Sequence, residues 1–259
     1  MPIPRRFKNK LKSIAIRSRF FSLLRPFRGL MMFLVYLEGV VGWSLRAWRH
    51  DRNAVFRTRV ELYDWINRSR VRGQTIDYLE FGVWTGNSFR WWLNANDHSE
   101  SRFVGFDTFT GLPESWGYYE EHHFDTGGKP PEIDDARAGF QVGLFQSTLG
   151  PFLARHPLTH RLIVNIDADL YSATLFVLTS LAPHLKEGDI IIFDEFLAWK
   201  TPTDQYRALM DFVAAYYVDY RFVGAGRNFE KLAVEIVAVC TDRGQGRLLT
   251  GPTGDVAVS

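Results

Sequence analysis

A single cysteine, Cys240, stands in a chain of 259 residues. That scarcity excludes a disulfide framework and any cysteine-based zinc site, and it fits a reducing compartment such as the cytoplasm. Cys240 itself reads as a buried core thiol. The seven histidines form no ligand cluster. His122 and His123 are neighbours whose side chains diverge in an extended segment, while His156, His160 and His184 read as surface or helix-end residues. No apolar run reaches the roughly 20 residues of a membrane-spanning helix. The best stretch, Gly29 to Trp43, is about 15 residues and contains Glu38. No small-residue cleavage site follows it, so a secretory signal is not expected. The chain lacks the G-x-G-x-x-G of a dinucleotide binder and shows no internal repeat. Acids are nearly missing from its start: residues 1–52 hold 12 Lys and Arg against Glu38 and Asp51.

What is present is an ordinary globular composition, 46% hydrophobic and 23% charged, which excludes wholesale disorder and fibrous repeats. The charge is divided unevenly. A basic arm precedes a body in which 27 acids outnumber 19 bases. In the arm, Phe7, Leu11, Ile14 and Phe21 recur at helical spacing, with Arg6, Lys10 and Arg17 on another face. The spacing predicts an amphipathic basic helix, packed as a cap on the core or on a second subunit. Peripheral attachment to an anionic membrane is the alternative. Nucleic-acid binding is not expected, because no recognition motif accompanies the charge. The division predicted is a helical extension over 1–54, a catalytic domain over 55–241 and a loosely held Gly/Thr-rich tail over 242–259.

In the body, a helix is expected over Val55–Arg70, and then strands and helices alternate. Strands are expected at Ile76–Phe81, Phe103–Phe106, Gln141–Leu144, Leu162–Ile166, Asp189–Phe193, Tyr220–Val223 and Leu232–Val239. Helices fall at Ser88–Leu93, Leu175–Leu185 and Gln205–Tyr217. Continuous apolar strands alternating with helices predict an α/β fold, a mostly parallel sheet with helices on both faces. In such a sheet ligands sit beyond the carboxyl ends of the strands.

Those ends carry consistent chemistry. After Ile76–Phe81 comes Gly82-Val83-Trp84-Thr85-Gly86-Asn87-Ser88. Gly82 and Gly86 permit a tight turn and close approach of a ligand, and the helix start at Ser88 offers free N–H groups. Glu80 suits a cationic ligand carrying an amine. Asp107, ending the next strand, can accept hydrogen bonds from the hydroxyls of a ribose. The segment from Gly111 to Gly139, with Trp116, Tyr119 and the paired histidines, has little periodicity and reads as a lid. Farther on, Asp167, Asp169, Asp194 and Glu195 place four carboxylates at two strand ends. Unpaired, they would repel, so they call for a cation; oxygen ligands without His or Cys suit Mg²⁺. Capping of the following helices is the structural alternative for Asp169 or Asp194.

Together, Tyr78-Leu79-Glu80-Phe81-Gly82 to Ser88, Gly105-Phe106-Asp107 to Glu114, Ile166-Asp167-Ala168-Asp169-Leu170-Tyr171 and Phe193-Asp194-Glu195 resemble the macrocin O-methyltransferase-like family over about residues 55–240. The resemblance implies a class I, Rossmann-like methyltransferase fold with seven strands and an antiparallel last one. It also implies S-adenosylmethionine as methyl donor, a sugar hydroxyl as acceptor, a divalent metal and a homo-oligomer. Carried over, it makes Asp167, Asp194 and Glu195 metal ligands and Asp169 the general base. Where relatives often have two aspartates and Tyr, this chain has Asp-Glu-Phe, so Phe196 loses a hydroxyl. No His base is available near Asp169.

The reading that results is a metal-dependent O-methyltransferase of a sugar or sugar-bearing metabolite. Glu80, Gly82, Gly86, Ser88 and Asp107 hold the donor, and the loop at Val142-Gly143 touches its adenine. Aminopropyl transfer on the same fold and a non-catalytic adaptor with a vestigial pocket are the rivals.

Overall fold

The computed structural model describes residue 10 and residues 26–50, 54–198 and 204–239. The expected helix over Phe7–Phe21, Cys240 and the tail lie outside the described residues.

Eight strands form one sheet in the order β1-β7-β8-β6-β5-β2-β3-β4. They are β1 (Val55–Phe56), β2 (Ile76–Phe81), β3 (Arg102–Asp107), β4 (Ala138–Val142), β5 (Arg161–Ile166), β6 (Ile190–Phe193), β7 (Val218–Gly226) and β8 (Leu232–Val239). All pairings are parallel except those of β8, which runs antiparallel between β6 and β7. From the centre, the chain runs from β2 to β3 and β4 on one side and then crosses to β5 and β6 on the other. The crevice where this reversal occurs opens at the carboxyl ends of β2 and β5.

The strand side chains alternate between two cores. Leu79, Phe81, Val164 and Ile166 face one core with helices α4 (Phe145–Arg155), α5 (Tyr171–Leu181) and α6 (Asp204–Tyr216). Ile76, Tyr78 and Ile163 face the other with α2 (Arg59–Ile66) and α3 (Asn87–Ala95). With both faces covered, the central strands are apolar throughout, which is why they read as continuous runs.

Seven strands match the expectation, and the eighth, β1, replaces the start of a predicted helix. Val55 and Phe56 pair with Ala225 and Gly226 at the sheet edge, and α2 begins at Arg59. The start is set by a capping box: Thr58 accepts from the Glu61 amide, and the Glu61 carboxylate accepts from the Thr58 amide. β4 lies three residues ahead of its predicted start. It is an edge strand with half-buried side chains, so its apolar signal is weak.

The first helix, α1 (Arg28–His50), packs on the body with one face. Trp43 is buried, meets Phe196 edge-on at 5.2 Å and lies near-parallel to Tyr220 at 6.1 Å. Gly39 admits this approach, since a Cβ there would come within 2.9 Å of Leu197. The opposite face presents Leu30, Met31, Leu34, Val41 and Leu45 to solvent. Among the described residues no helix is long and apolar enough to cross a membrane.

Candidate active site

The strand ends, the glycine turn and the predicted lid enclose a cavity of about 630 Å³. Its wall includes seven of the residues singled out from the sequence: Gly82, Ser88, Asp107, Asp167, Asp169, Asp194 and Glu195. It does not include Glu80, Gly86 or Gly143.

Gly82 sits where β2 ends, with φ +88°. A Cβ at this position would lie 2.0 Å from the Asp167 carbonyl oxygen, so only glycine lets the β2 and β5 ends touch. Gly86, at φ +77°, closes the turn by donating to the Val83 carbonyl, and any Cβ would crowd Pro131. Its role is to shape the turn from behind. Gly143 likewise donates its N–H to the Asp107 carbonyl, while Leu144, Phe145 and Gln146 at the start of α4 supply that side of the wall.

Asp107 organises the turn. One carboxylate oxygen accepts from the amides of Val83 and Trp84 at 2.7 and 2.8 Å, and the other from Phe109 at 2.8 Å. A carboxylate has about four acceptor positions, so one remains open toward the cavity. That leaves one acceptor position for the expected ribose hydroxyls.

Glu80 corrects the sequence reading more sharply. It is fully buried beneath the turn, accepting from the Ser88 hydroxyl at 2.6 Å and from the Tyr78 hydroxyl. Burial lifts its carboxyl to about 7, against the pull of those hydroxyls. It braces the start of α3 from below and lies outside the cavity wall. Its position at the end of β2 was read from the sequence, but not the two hydroxyls that claim it.

The predicted lid folds over the cavity as an irregular but packed segment. Leu112 and Trp116 are buried against Leu170, Trp116 stacks on Tyr119, and the Trp116 indole donates to Asp204 at 3.0 Å. Trp84 meets Phe124 edge-on at 5.5 Å, closing the side next to the glycine turn. His123 stacks on Tyr119 and His122 lies beside the Thr110 carbonyl; neither is part of the wall.

The four carboxylates are not equivalent. Asp169, just past β5, adopts φ +58°, a left-handed conformation uncommon outside glycine, asparagine and aspartate. Helix α5 has Leu170 as its N-cap with no side-chain cap bond, so Asp169 is not a cap. Among the described residues nothing donates a hydrogen bond to its carboxylate. Burial, then Glu195, Asp194 and Asp204, raise Asp169 to about 8. Asp167 is pushed well up by burial and by Asp194 and Asp169. Glu195 rises to about 7, again chiefly through burial. Its amide is held by Gln205, whose own side-chain N–H reaches the Ile166 carbonyl and ties the two strand ends together.

Two cations missed in the sequence enter this cluster. The Arg59 guanidinium, on the first turn of α2, lies 2.8 Å from Asp194 Oδ2 and 3.9 Å from Asp167. Lys231 Nζ lies 2.8 Å from the same Asp194 oxygen and donates to the Asp194 carbonyl at 3.0 Å. The expected metal site does not fit this arrangement. Asp194 Oδ2 is paired with two cations at 2.8 Å, and among the described residues no three carboxylates or histidines surround one ion position; Oδ1 is buried without a partner among those residues. Phe196 does not enter the cavity; it is the buried anchor for Trp43.

Comparison with known proteins agrees with this layout. Residues 79–196 match a family described as a methyltransferase domain. Demethyldecarbamoylnovobiocin O-methyltransferase of Streptomyces niveus is 26% identical over 159 residues, 52% of this chain and 59% of the relative, so the match spans less than two thirds of that protein. The calicheamicin methyltransferase CalS11 superposes with a TM-score of 0.54 at 18% identity, covering 91% of this chain and 94% of that one. The O-methyltransferase NovP superposes with a TM-score of 0.52 at 21% identity, covering 70% and 80%. The strand order and these superpositions give the chain a class I, Rossmann-like fold, and its residues 79–196 are similar to a methyltransferase domain.

Proposed function

We propose that the chain transfers the methyl group of S-adenosylmethionine to a hydroxyl of a sugar or a sugar-bearing metabolite. The observation that carries this reading is Asp169. Among the described residues nothing donates a hydrogen bond to its carboxylate; it caps no helix and lines the same cavity as the Gly82–Ser88 turn and Asp107. The turn and the open acceptor position on Asp107 suit the ribose and amino-acid ends of the donor. Leu144, Phe145 and Gln146, which line the cavity, suit a contact with its adenine. In the reaction Asp169 accepts the hydroxyl proton as the oxygen attacks the methyl carbon in line with the breaking C–S bond. The products are a methyl ether, S-adenosylhomocysteine and a proton passed from Asp169 to solvent. Trp116 and Tyr119 exclude water from the donor's sulfonium.

The acceptor class follows the relatives, whose names place them on novobiocin and calicheamicin chemistry. Methyl-labelled S-adenosylmethionine, incubated with nucleotide-activated deoxysugars and with glycosylated aminocoumarins, tests it. Label should enter a sugar ether with at least one of these acceptors, and Asp169→Asn should lower that incorporation by roughly 10²–10⁴. Undiminished incorporation in Asp169→Asn would remove Asp169 from the mechanism.

We propose further that a second copy of the chain covers the outer face of α1. Leu34, Val41 and Leu45 stand exposed along that face, and a contiguous apolar strip of this kind marks an interaction surface. The basic arm and the acidic body give two copies opposite charges to bring together.

A further inference from the structure

The carboxylates of the cavity carry their counter-charge with them. Asp194 Oδ2 is met at 2.8 Å by both the Arg59 guanidinium and the Lys231 ammonium. The guanidinium donates to that oxygen and the ammonium pairs with it, so a magnesium ion, which needs its ligands at about 2.0–2.1 Å in a near-octahedral shell, would have to displace them to use it; Oδ1 is buried without a partner among the described residues. Neither cation is a loose surface residue. Arg59 is carried on the first turn of α2, whose position is locked by the Thr58–Glu61 capping box. Lys231 is fixed at two points, the carboxylate and the carbonyl of the same aspartate. Together they place two positive charges among Asp167, Asp169, Asp194 and Glu195, the charge one divalent ion would bring.

We infer that Arg59 and Lys231 stand in for a divalent cation in this chain, so that methyl transfer in this cavity needs no bound metal. The inference rests on the reading of the cavity as a methyl-transfer site. It has a consequence for the acceptor. A chelated ion favours two neighbouring hydroxyls, whereas a fixed guanidinium on the cavity wall can receive a single oxygen. Acceptors without a vicinal diol therefore belong to the expected range.

The test is a Mn²⁺ titration of the full chain followed by electron paramagnetic resonance, with S-adenosylhomocysteine present. The wild-type protein should show no site tighter than about millimolar, and Arg59→Gln/Lys231→Gln should gain at least tenfold in Mn²⁺ affinity as Asp194 loses its partners. One-to-one binding to wild type at micromolar concentration would overturn the inference, and so would a double variant that gains nothing. If the double variant does not fold, Lys231→Gln alone is read in the same way. Calorimetry of S-adenosylhomocysteine on the same wild-type sample separates the two claims. Absence of that binding would defeat the methyl-transfer reading, whereas the Mn²⁺ affinity reports on the two cations alone.

Discussion

With φ +58° and, among the described residues, no hydrogen bond to its carboxylate, Asp169 holds a backbone position that β-branched and bulky residues would not tolerate. Its ordinary ionisation lies near 3.9, and burial with neighbouring acids raises it to about 8. A base must be deprotonated to act, so turnover should rise as pH climbs from 6 to 9, with its midpoint near 8. Lys231 opposes that rise, so Lys231→Gln should move the midpoint of the pH–rate profile upward. A flat profile across this range would contradict the assignment. Glu80 makes a separate prediction about stability. Its folded value of about 7 exceeds the value of an unfolded glutamate, so the native state holds a proton that the unfolded chain releases above pH 4–5. Stability from this group is therefore present at low pH and lost as pH rises through about 7. In urea denaturation between pH 5 and 8, Glu80→Gln should flatten the decline by on the order of 1–3 kcal/mol. An unchanged slope would show that Glu80 is ionised in the fold.

At the scale of elements, α2 links folding to the site. Thr58→Ala should cost about 1 kcal/mol by removing the cap, and by loosening the turn that carries Arg59 it should weaken the ion pair with Asp194. Denaturation midpoints measure the first effect. Gly82→Ala should be much more damaging, because its Cβ would strike the Asp167 carbonyl between two central strands. The strands here were readable because residues buried on both faces leave unbroken apolar runs, as in Ile190–Phe193. Val55–Phe56 was not, since a two-residue edge strand has no periodicity of its own and borrows its partner from β7. The acids after β5 and β6 were readable from position alone. Arg59 and Lys231 were not, because they sit 135 and 37 residues from Asp194 and only the fold brings them together. The hydroxyls of Tyr78 and Ser88 claim Glu80 for the same kind of reason: the strand end is readable, and the hydrogen-bond partner is tertiary.

The molecule as a whole pairs a three-layer body with a helix that is apolar on two opposite faces. The inner face of α1 is anchored by Trp43, and the outer face has no cover among the described residues. Light scattering after size exclusion should therefore give a mass above the 29.9 kDa of one chain. Leu34→Glu/Val41→Glu should return it to one chain while leaving the far-ultraviolet circular dichroism unchanged. A wild-type monomer that sediments with anionic vesicles would assign the face to a membrane surface instead. The charge division and the apolar stretch at 29–43 were visible before the fold; the two-sidedness of α1 was not, because only packing shows which side is already used.

The central claim is that the cavity at the ends of β2, β3 and β5 holds the methyl donor. Calorimetric titration of S-adenosylhomocysteine into the wild-type chain tests it without knowledge of the acceptor. The account predicts one site per chain at micromolar affinity, weakened at least tenfold by Asp107→Ala, which removes the support of the Val83 and Trp84 amides and the open acceptor position, and left within about twofold by Asp169→Asn. No binding to the wild-type chain, or full affinity in Asp107→Ala, would contradict it.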